Sequence, residues 1–285
     1  MRLSDCDIFR VPAGPGALHV ERYGFGGPPV VLLHGFGTSS FLWRRVAPDL
    51  AVSGHSVFAF DLFGHGASDR PFDADFGIRA QSLYLRRAMS TLGIVRPTVV
   101  GCDLGAVIAL RIAFDQPEFA GRLLLISPVS IQDLPGAQIR LMQRETALHV
   151  LQLVRGLFGA EPLIRSLLEG GVVDPTTLSP RLVARFVAPY LGRDGVNHLL
   201  TLTRALEDED LSDVSLSTIK QPVLVLRGDA DRWCTPAHVR KLVESLPNAR
   251  PKVVPNAGRL VVEEVPVAVV DAIEALVGAQ EGVSQ

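Results

Sequence analysis

An aspartate between two glycines is the residue of this sequence best placed to do chemistry. Residues 99–107 read V-V-G-C-D-L-G-A-V, so an apolar run leads into Gly101, Asp103 and Gly105, and a helical pattern follows. A sharp strand-to-helix turn of this kind needs small neighbours and exposes its central side chain. It also places that side chain at a helix N-terminus, where negative charge is favoured. The pattern predicts that Asp103 is presented for chemistry.

Four further motifs each follow an apolar run. They read H-G-F-G at residues 34–37, D-L-F-G-H-G-A-S-D-R-P at 61–71, G-D-A-D at 228–231 and N-A-G-R-L-V-V-E-E-V-P at 256–266. A Gly-x-Asp-x-Gly pattern occurs alone by chance. The order and spacing of all five motifs together make the pattern specific.

Short apolar runs alternate with helical periodicity along most of the chain. The runs that predict strands are 30–33, 57–60, 98–100, 123–126, 223–226 and 252–254. The stretches that predict helices are roughly 40–52, 76–92, 104–116, 236–246 and 260–277. Near-continuous apolar runs are typical of strands buried on both faces of a parallel sheet. The alternation predicts an α/β fold with right-handed crossovers.

Residues 128–215 break this alternation. They contain no clear strand pattern and several amphipathic stretches, one of which places Ile139, Met142, Leu148, Leu151, Val154 and Leu157 near helical spacing. Prolines punctuate the rest of the segment. We predict a helical cap at 128–215, inserted into a core formed by 1–127 and 216–285. The acidic run at 207–210 is interpreted as a solvated linker and not as a metal site.

The composition excludes several classes of protein. The chain has 285 residues, is 47% apolar and carries 28 Lys+Arg against 30 Asp+Glu, which gives a net charge of −2. This is globular composition with no basic excess, so a nucleic-acid partner is not expected. No apolar run is long enough to span a membrane, and the first residues lack a signal-peptide pattern.

The three cysteines, Cys6, Cys102 and Cys234, fit neither a disulfide framework nor a zinc site. We therefore expect a cytoplasmic protein without cofactor or metal, and leave a homodimer open.

The five motifs together resemble the α/β-hydrolase fold: a mostly parallel central sheet flanked by helices, with a helical cap. The resemblance covers nearly the whole chain outside the cap. It implies that the loop at 34–37 is an oxyanion loop, with the backbone N–H groups of Phe36 and Leu104 as the oxyanion hole. It also implies that Asp231 is the acid of a catalytic triad, with Asp229 as the competing candidate.

Members of this family with Asp at the elbow resemble epoxide hydrolases and dehalogenases, in which the carboxylate forms an ester that a His-activated water hydrolyses. Here the motif that would read Asn-Ala-Gly-His ends in Arg259. An Arg stays protonated and cannot serve as a general base. We expect Arg259 to pair with Asp231 and leave open a contact with Asp103.

Several side chains are candidates for the pocket. A histidine elsewhere would have to replace the missing base, and His149 and His198 of the cap are possible replacements. Family dehalogenases carry Trp or Arg directly after the elbow Asp, where this chain has Leu104. The remaining pocket candidates are His34, Cys102, Tyr190 and Trp233.

Three functions remain open from the sequence. The first is a non-hydrolytic enzyme in which Asp103 transfers protons or anchors charge during elimination, isomerisation or cyclisation of a small apolar metabolite. The second is an epoxide hydrolase or dehalogenase with a relocated base such as His198. The third is a protein that binds a small ligand without catalysis, since fold alone does not decide function.

Overall fold

The computed structural model describes residues 6–129, 137–144, 159–192 and 194–278. These residues form one eight-stranded sheet with the strand order β1-β2-β4-β3-β5-β6-β7-β8. The strands are β1 (Asp7–Pro12), β2 (Ala17–Tyr23), β3 (Pro29–Leu33), β4 (Ser56–Phe60), β5 (Thr98–Cys102), β6 (Arg122–Ile126), β7 (Val223–Gly228) and β8 (Ala249–Val254). The six strands from β3 to β8 pair in parallel, whereas β1 with β2 and β2 with β4 are antiparallel.

The predicted strands and the α/β class are confirmed. β5 and β7 are buried at every residue, because helices cover both faces of the sheet. The antiparallel hairpin of β1 and β2 makes the sheet mixed, which agrees with the mostly parallel sheet that the family resemblance implied. β1 is largely exposed and mixed in polarity, so it lacks the continuous apolar signal of the inner strands.

Helices connect the inner strands and also occur in the described part of the segment between β6 and β7. Those of the core are α1 (Ala47–Val52), α2 (Ile78–Thr91), α3 (Leu104–Asp115), α8 (Pro236–Ser245), α9 (Val261–Glu264) and α10 (Pro266–Gly278). Two predicted stretches are divided. Ser40–Trp43 is a 3-10 turn before α1, and Pro266 starts α10 because proline has no N–H to continue α9.

The segment between β6 and β7 contains the helices α4 (Ala137–Gln143), α5 (Glu161–Gly170), α6 (Pro180–Val187) and α7 (Gly195–Arg204), and its described residues include no strand. The serine before α6 caps it: Ser179 Oγ accepts the N–H of Leu182 at 3.3 Å, and Pro180 follows as the first helical residue. Leu148, Leu151, Val154, Leu157 and His149 lie outside the described residues. The cap boundaries at 128 and 215 stay a prediction.

The acidic run at 207–210 is predicted to be a solvated linker, but it also contacts the start of α2. Asp208–Leu211 forms a 3-10 turn, and Asp210 Oδ2 accepts the N–H of Ile78 at 2.9 Å. This contact satisfies one of the free donors at the start of α2. Within the described part of the chain, no helix is both long and apolar enough to cross a membrane.

Candidate active site

Four polar residues follow four neighbouring strands at one edge of the sheet. Asp103 follows β5, Ser127 follows β6, Asp231 lies in the loop after β7, and Arg259 lies in the loop after β8. These strands are adjacent and parallel in the order β5-β6-β7-β8. Their carboxyl ends therefore meet at one edge, which is where ligands bind in open α/β sheets.

The turn at Asp103 has the predicted strained geometry. Asp103 has φ +54°, a left-handed conformation that side chains rarely adopt, and α3 begins at the next residue. A Cβ on Gly101 would lie 2.2 Å from the carbonyl oxygen of Gly105, and one on Gly105 would lie 2.4 Å from that of Leu33. Both glycines are needed because the backbone approaches too closely for any side chain.

Both carboxylate oxygens of Asp103 contact a positively polarised group. The side chain is 5% exposed, and its Oδ2 accepts the backbone N–H of Phe36 at 3.0 Å. Its Oδ1 pairs with Nη2 of Arg259. Gly35 makes this approach possible, since a Cβ there would lie 2.7 Å from Asp103 Cβ. The N–H of the predicted oxyanion loop thus serves Asp103 itself.

Arg259 pairs with Asp103, and the expected pair with Asp231 is wrong: the described residues show no Arg259–Asp231 ion pair within 4 Å. A long side chain can reach either carboxylate, and here the guanidinium lies 5.5 Å from the ring centre of Trp233. Burial lowers the pKa of Arg259, but the charge and hydrogen bond of Asp103 outweigh it and raise that pKa above its usual value. Arg259 therefore stays protonated.

Asp231 is anchored by its own loop. Its Oδ1 accepts the N–H of Trp233 at 2.9 Å and that of Cys234 at 3.0 Å. Its Oδ2 is buried and has no hydrogen-bond partner within the described residues. Asp229, the competing acid, is exposed, whereas Asp231 is 4% exposed. The geometry favours Asp231 as the acid beside the pocket.

A pocket opens beside Asp103 and Arg259, between the sheet edge and the helices that follow β6. Apolar side chains of α4 and α5, namely Ile139, Ile164, Leu167 and Leu168, form one wall. Trp233, Phe36, Leu42 and Leu260 add to the apolar lining. The pocket is therefore mostly apolar with one ion pair in its wall, as ligand pockets commonly are.

Ser127 is a pocket residue that the sequence analysis missed. It lines the pocket, has φ +45°, and its Oγ is buried without a hydrogen-bond partner in the described structure. A buried hydroxyl without a partner is costly, which makes a bound ligand or water its natural partner. The signal available in the sequence was its position directly after a predicted strand.

Two cysteines line the same pocket. Cys102 and Cys234 are 1% and 2% exposed. Burial raises the pKa of the Cys102 thiol, and burial followed by the charge of Asp231 raises that of Cys234 to about 12. Protonated thiols are poor nucleophiles, so Cys102 lines the pocket and its thiol reacts slowly while it stays buried.

The pocket candidates His34, Tyr190 and His198 do not line the pocket beside Asp103. His34 is fully buried: its Nδ1 lies 2.8 Å from the oxygen of Gly35, and its Nε2 accepts the N–H of Leu62 at 3.0 Å. Burial lowers its pKa, so it stays neutral and structural.

The other two side chains pack against each other. His198 Nε2 lies 2.6 Å from the carbonyl oxygen of Gly64, and its ring stacks 6.2 Å from that of Tyr190. Among the described residues that line the pocket there is no histidine, and no group of three or more potential metal ligands was found in that part of the chain.

Comparison with known proteins identifies relatives of this chain. Residues 28–266 match the family described as alpha/beta hydrolase fold. A 2-hydroxy-6-oxononadienedioate/2-hydroxy-6-oxononatrienedioate hydrolase of Burkholderia vietnamiensis is 28% identical over 247 residues, 81% of each chain. An uncharacterized protein of Mycobacterium tuberculosis is 40% identical over 106 residues, and the match spans 37% of this chain and 30% of that protein.

Solved structures agree on the fold. Haloalkane dehalogenase DbeA from Bradyrhizobium elkani superposes with a TM-score of 0.84 over 98% of this chain and 100% of that chain. The two sequences are 22% identical, so the likeness shows the shared architecture alone.

Proposed function

This chain belongs to the α/β hydrolase fold family, and from that membership we propose that it carries out non-hydrolytic acid–base chemistry on a small, mainly apolar metabolite. Elimination, isomerisation and cyclisation are the reactions of this class. One observation carries the proposal: the Asp103 carboxylate has Phe36 N–H on one oxygen and the Arg259 guanidinium on the other.

Hydrolysis through an ester makes two demands that this pocket does not meet among the described residues. The Asp103 carboxylate must displace a leaving group from carbon in line while Arg259 is held against its Oδ1, and a base must activate water. We take Arg259 to stand where the family resemblance implies a His, and a guanidinium cannot accept the proton of water. His198 is held by Gly64, away from the lining of the pocket.

Proton transfer requires less of the Asp103–Arg259 pair than hydrolysis through an ester does. An Asp103 oxygen keeps a lone pair that can take a proton from a carbon next to a substrate carbonyl. The electrons of the broken C–H bond move to the carbonyl oxygen and form an enolate. The Arg259 guanidinium lines the same pocket and stays protonated, so it can stabilise that oxygen. The proton then returns to a different carbon, which completes an isomerisation.

The charges beside the pocket favour a neutral substrate. Two carboxylates, Asp103 and Asp231, face one guanidinium, Arg259, in surroundings from which water is largely excluded. A substrate carboxylate placed there would add a third negative charge at close range. A neutral ketone or enone offers the needed carbonyl oxygen without this repulsion, and its apolar body fits the α4 and α5 wall.

Deuterium uptake from D2O tests the proposal directly. We would incubate the protein with a panel of small apolar ketones and enones and follow loss of the C–H signal by NMR. Wild type should catalyse exchange or isomerisation, and Asp103→Asn should abolish it. The matched control is Asp229→Asn, an exposed carboxylate of the neighbouring loop, which should behave as wild type.

Other outcomes separate the competing functions. Full activity in Asp103→Asn would overturn the proposal. Saturable binding of the same compounds without exchange would identify a binding protein. Turnover of epoxides or haloalkanes by wild type would identify a hydrolase, and His149→Ala and His198→Ala variants would then locate its base.

A further inference from the structure

Glu264 joins the loop that carries Arg259 to the chain that follows α5. Its Oε2 accepts the backbone N–H of Gly258 at 2.6 Å, and its Oε1 accepts that of Val173 at 2.6 Å. Hydrogen bonds to a charged carboxylate are the stronger kind. One side chain therefore bridges two segments that lie far apart in the sequence.

A backbone contact reinforces this bridge on the other side of Arg259. The N–H of Leu260 donates to the carbonyl oxygen of Gly171 at 2.8 Å. A Cβ on Gly258 would lie 2.6 Å from that same oxygen, so the close approach depends on glycine. Both chain neighbours of Arg259 are thus fixed to the segment 171–173.

The same segment is continuous with a wall of the pocket. α5 ends at Gly170 and supplies Ile164, Leu167 and Leu168 to the pocket lining. Movement of α5 away from the sheet edge would have to break the contacts at 171–173. Those contacts hold the backbone on either side of Arg259, the partner of Asp103.

From these contacts we infer that Glu264 is a positioning residue that holds α5 closed over the pocket and fixes the backbone of Arg259. Glu264 does not line the pocket, so it acts through the two segments that it joins. Opening the pocket at α5 requires the Glu264 bonds to break, and this opening loosens the Arg259–Asp103 pair. The inference concerns access to the pocket and holds whatever reaction takes place there.

The pocket thiols provide a test that needs no substrate. Cys102 and Cys234 are buried in the pocket, whereas Cys6 is partly buried near β1, outside it. Labelling by iodoacetamide, followed for each cysteine by peptide mass spectrometry, reports how often the pocket opens. Glu264→Ala should raise the labelling rate of Cys102 and Cys234 by at least about tenfold, as expected when hydrogen bonds to a charged group are lost. The rate at Cys6 should not change.

Two further variants sharpen the test. Glu264→Gln retains one good acceptor and should give an intermediate rate. Glu169→Ala removes a half-exposed carboxylate of α5 that pairs with Arg165 at 3.6 Å, and it should label like wild type. The labelling rates should be independent of low urea concentrations, because a local opening exposes little surface.

Two results would overturn the inference. One is an unchanged rate at both pocket cysteines in Glu264→Ala. The other is a steep urea dependence with a parallel rise at Cys6, which would mean that the variant labels through global unfolding. Neither result bears on the proposed chemistry, which is tested by Asp103→Asn.

Discussion

Arg259 and Asp103 form a direct ion pair although they follow the non-adjacent strands β8 and β5. The loop after β8 passes close to the end of β7, where a Cβ on Gly228 would lie 2.0 Å from the carbonyl oxygen of Ala257, and it brings Arg259 within reach of the elbow carboxylate. Neither charge is well solvated, since the two side chains are 16% and 5% exposed. Removal of one partner should therefore cost more than removal of both, because a single buried charge remains.

A double-mutant cycle measures this coupling. Asp103→Asn leaves the guanidinium without its partner and should lower the free energy of unfolding by about 3 kcal/mol. Arg259→Met in the same chain removes the second charge and should recover most of the loss. Urea unfolding of the two single variants, the double variant and wild type gives the coupling energy. Strictly additive effects would mean that the pair contributes nothing as a pair.

The strand ends of this site were predictable from the sequence, and the partner of Arg259 was not. Asp103 follows a buried apolar strand, and glycines on either side mark the turn, so its position could be read locally. The choice of Asp103 over Asp231 depends on the direction of a flexible side chain. That direction is set by Trp233 and by the Glu264 contacts, which join residues distant in sequence.

Replacement of Ser127 by alanine should stabilise the folded protein. Its buried Oγ has no hydrogen-bond partner within the described residues, so Ser127→Ala removes an unsatisfied hydroxyl and should raise the free energy of unfolding by about 1 kcal/mol. Ser68 is the matched contrast. Its Oγ donates to the oxygen of Asp61 at 2.7 Å and accepts the N–H of His19 at 2.9 Å.

Ser68→Ala should accordingly lose about 2 kcal/mol, since it leaves both partners unsatisfied. Chemical unfolding of the two variants side by side provides the comparison. A loss of stability in Ser127→Ala equal to that in Ser68→Ala would show that the Ser127 hydroxyl has a partner in the protein.

Buried neutral histidines should make the fold sensitive to acid. Burial lowers the pKa of His34, and burial lowers that of His65 well below its usual value. Below about pH 6.5 these two side chains bind protons in the unfolded chain but not in the folded protein. The free energy of unfolding therefore falls as pH falls. His19 opposes this trend: its hydrogen bond to Glu21 raises its pKa, so its contribution is present in acid and lost as pH rises.

We therefore expect the free energy of unfolding to be lower at pH 5.0 than at pH 7.5. Replacement of one buried histidine, His65→Phe, should flatten the dependence, by up to about 1.4 kcal/mol per pH unit. His19→Asn should make it steeper, because it removes the opposing contribution. Urea titrations at both pH values decide the matter, and a His65→Phe profile identical to wild type would contradict the assignment.

Strand prediction from continuous apolar runs fails for the hairpin of β1 and β2. β1 lies at the sheet edge and exposes most of its side chains, and both strands carry charged residues. Edge strands need only one buried face, so they lack the continuous apolar signal of β5 or β7. The inner strands that position the site are predictable for the same reason that the edge is not.

Replacement of Arg259 should allow the Asp103 carboxylate, which the ion pair holds, to act as a nucleophile. In Arg259→Gln the Asp103 Oδ1 loses its cationic partner, and the oxygen becomes free to displace a halide from a small haloalkane. The carboxylate oxygen bonds to carbon as the halide leaves, and an ester remains because no base activates water. Intact-protein mass spectrometry should detect this ester in Arg259→Gln and not in wild type.

Arg259→His adds the base that the family resemblance implies. A neutral imidazole in this loop can take a proton from water, and the resulting attack on the ester releases the alcohol and restores Asp103. Arg259→His should therefore release halide repeatedly without accumulating the ester that marks Arg259→Gln. Asp103→Asn in the Arg259→Gln background is the control and should form no ester. Absence of ester in both variants at position 259 would show that the ion pair is not what keeps Asp103 from attacking carbon.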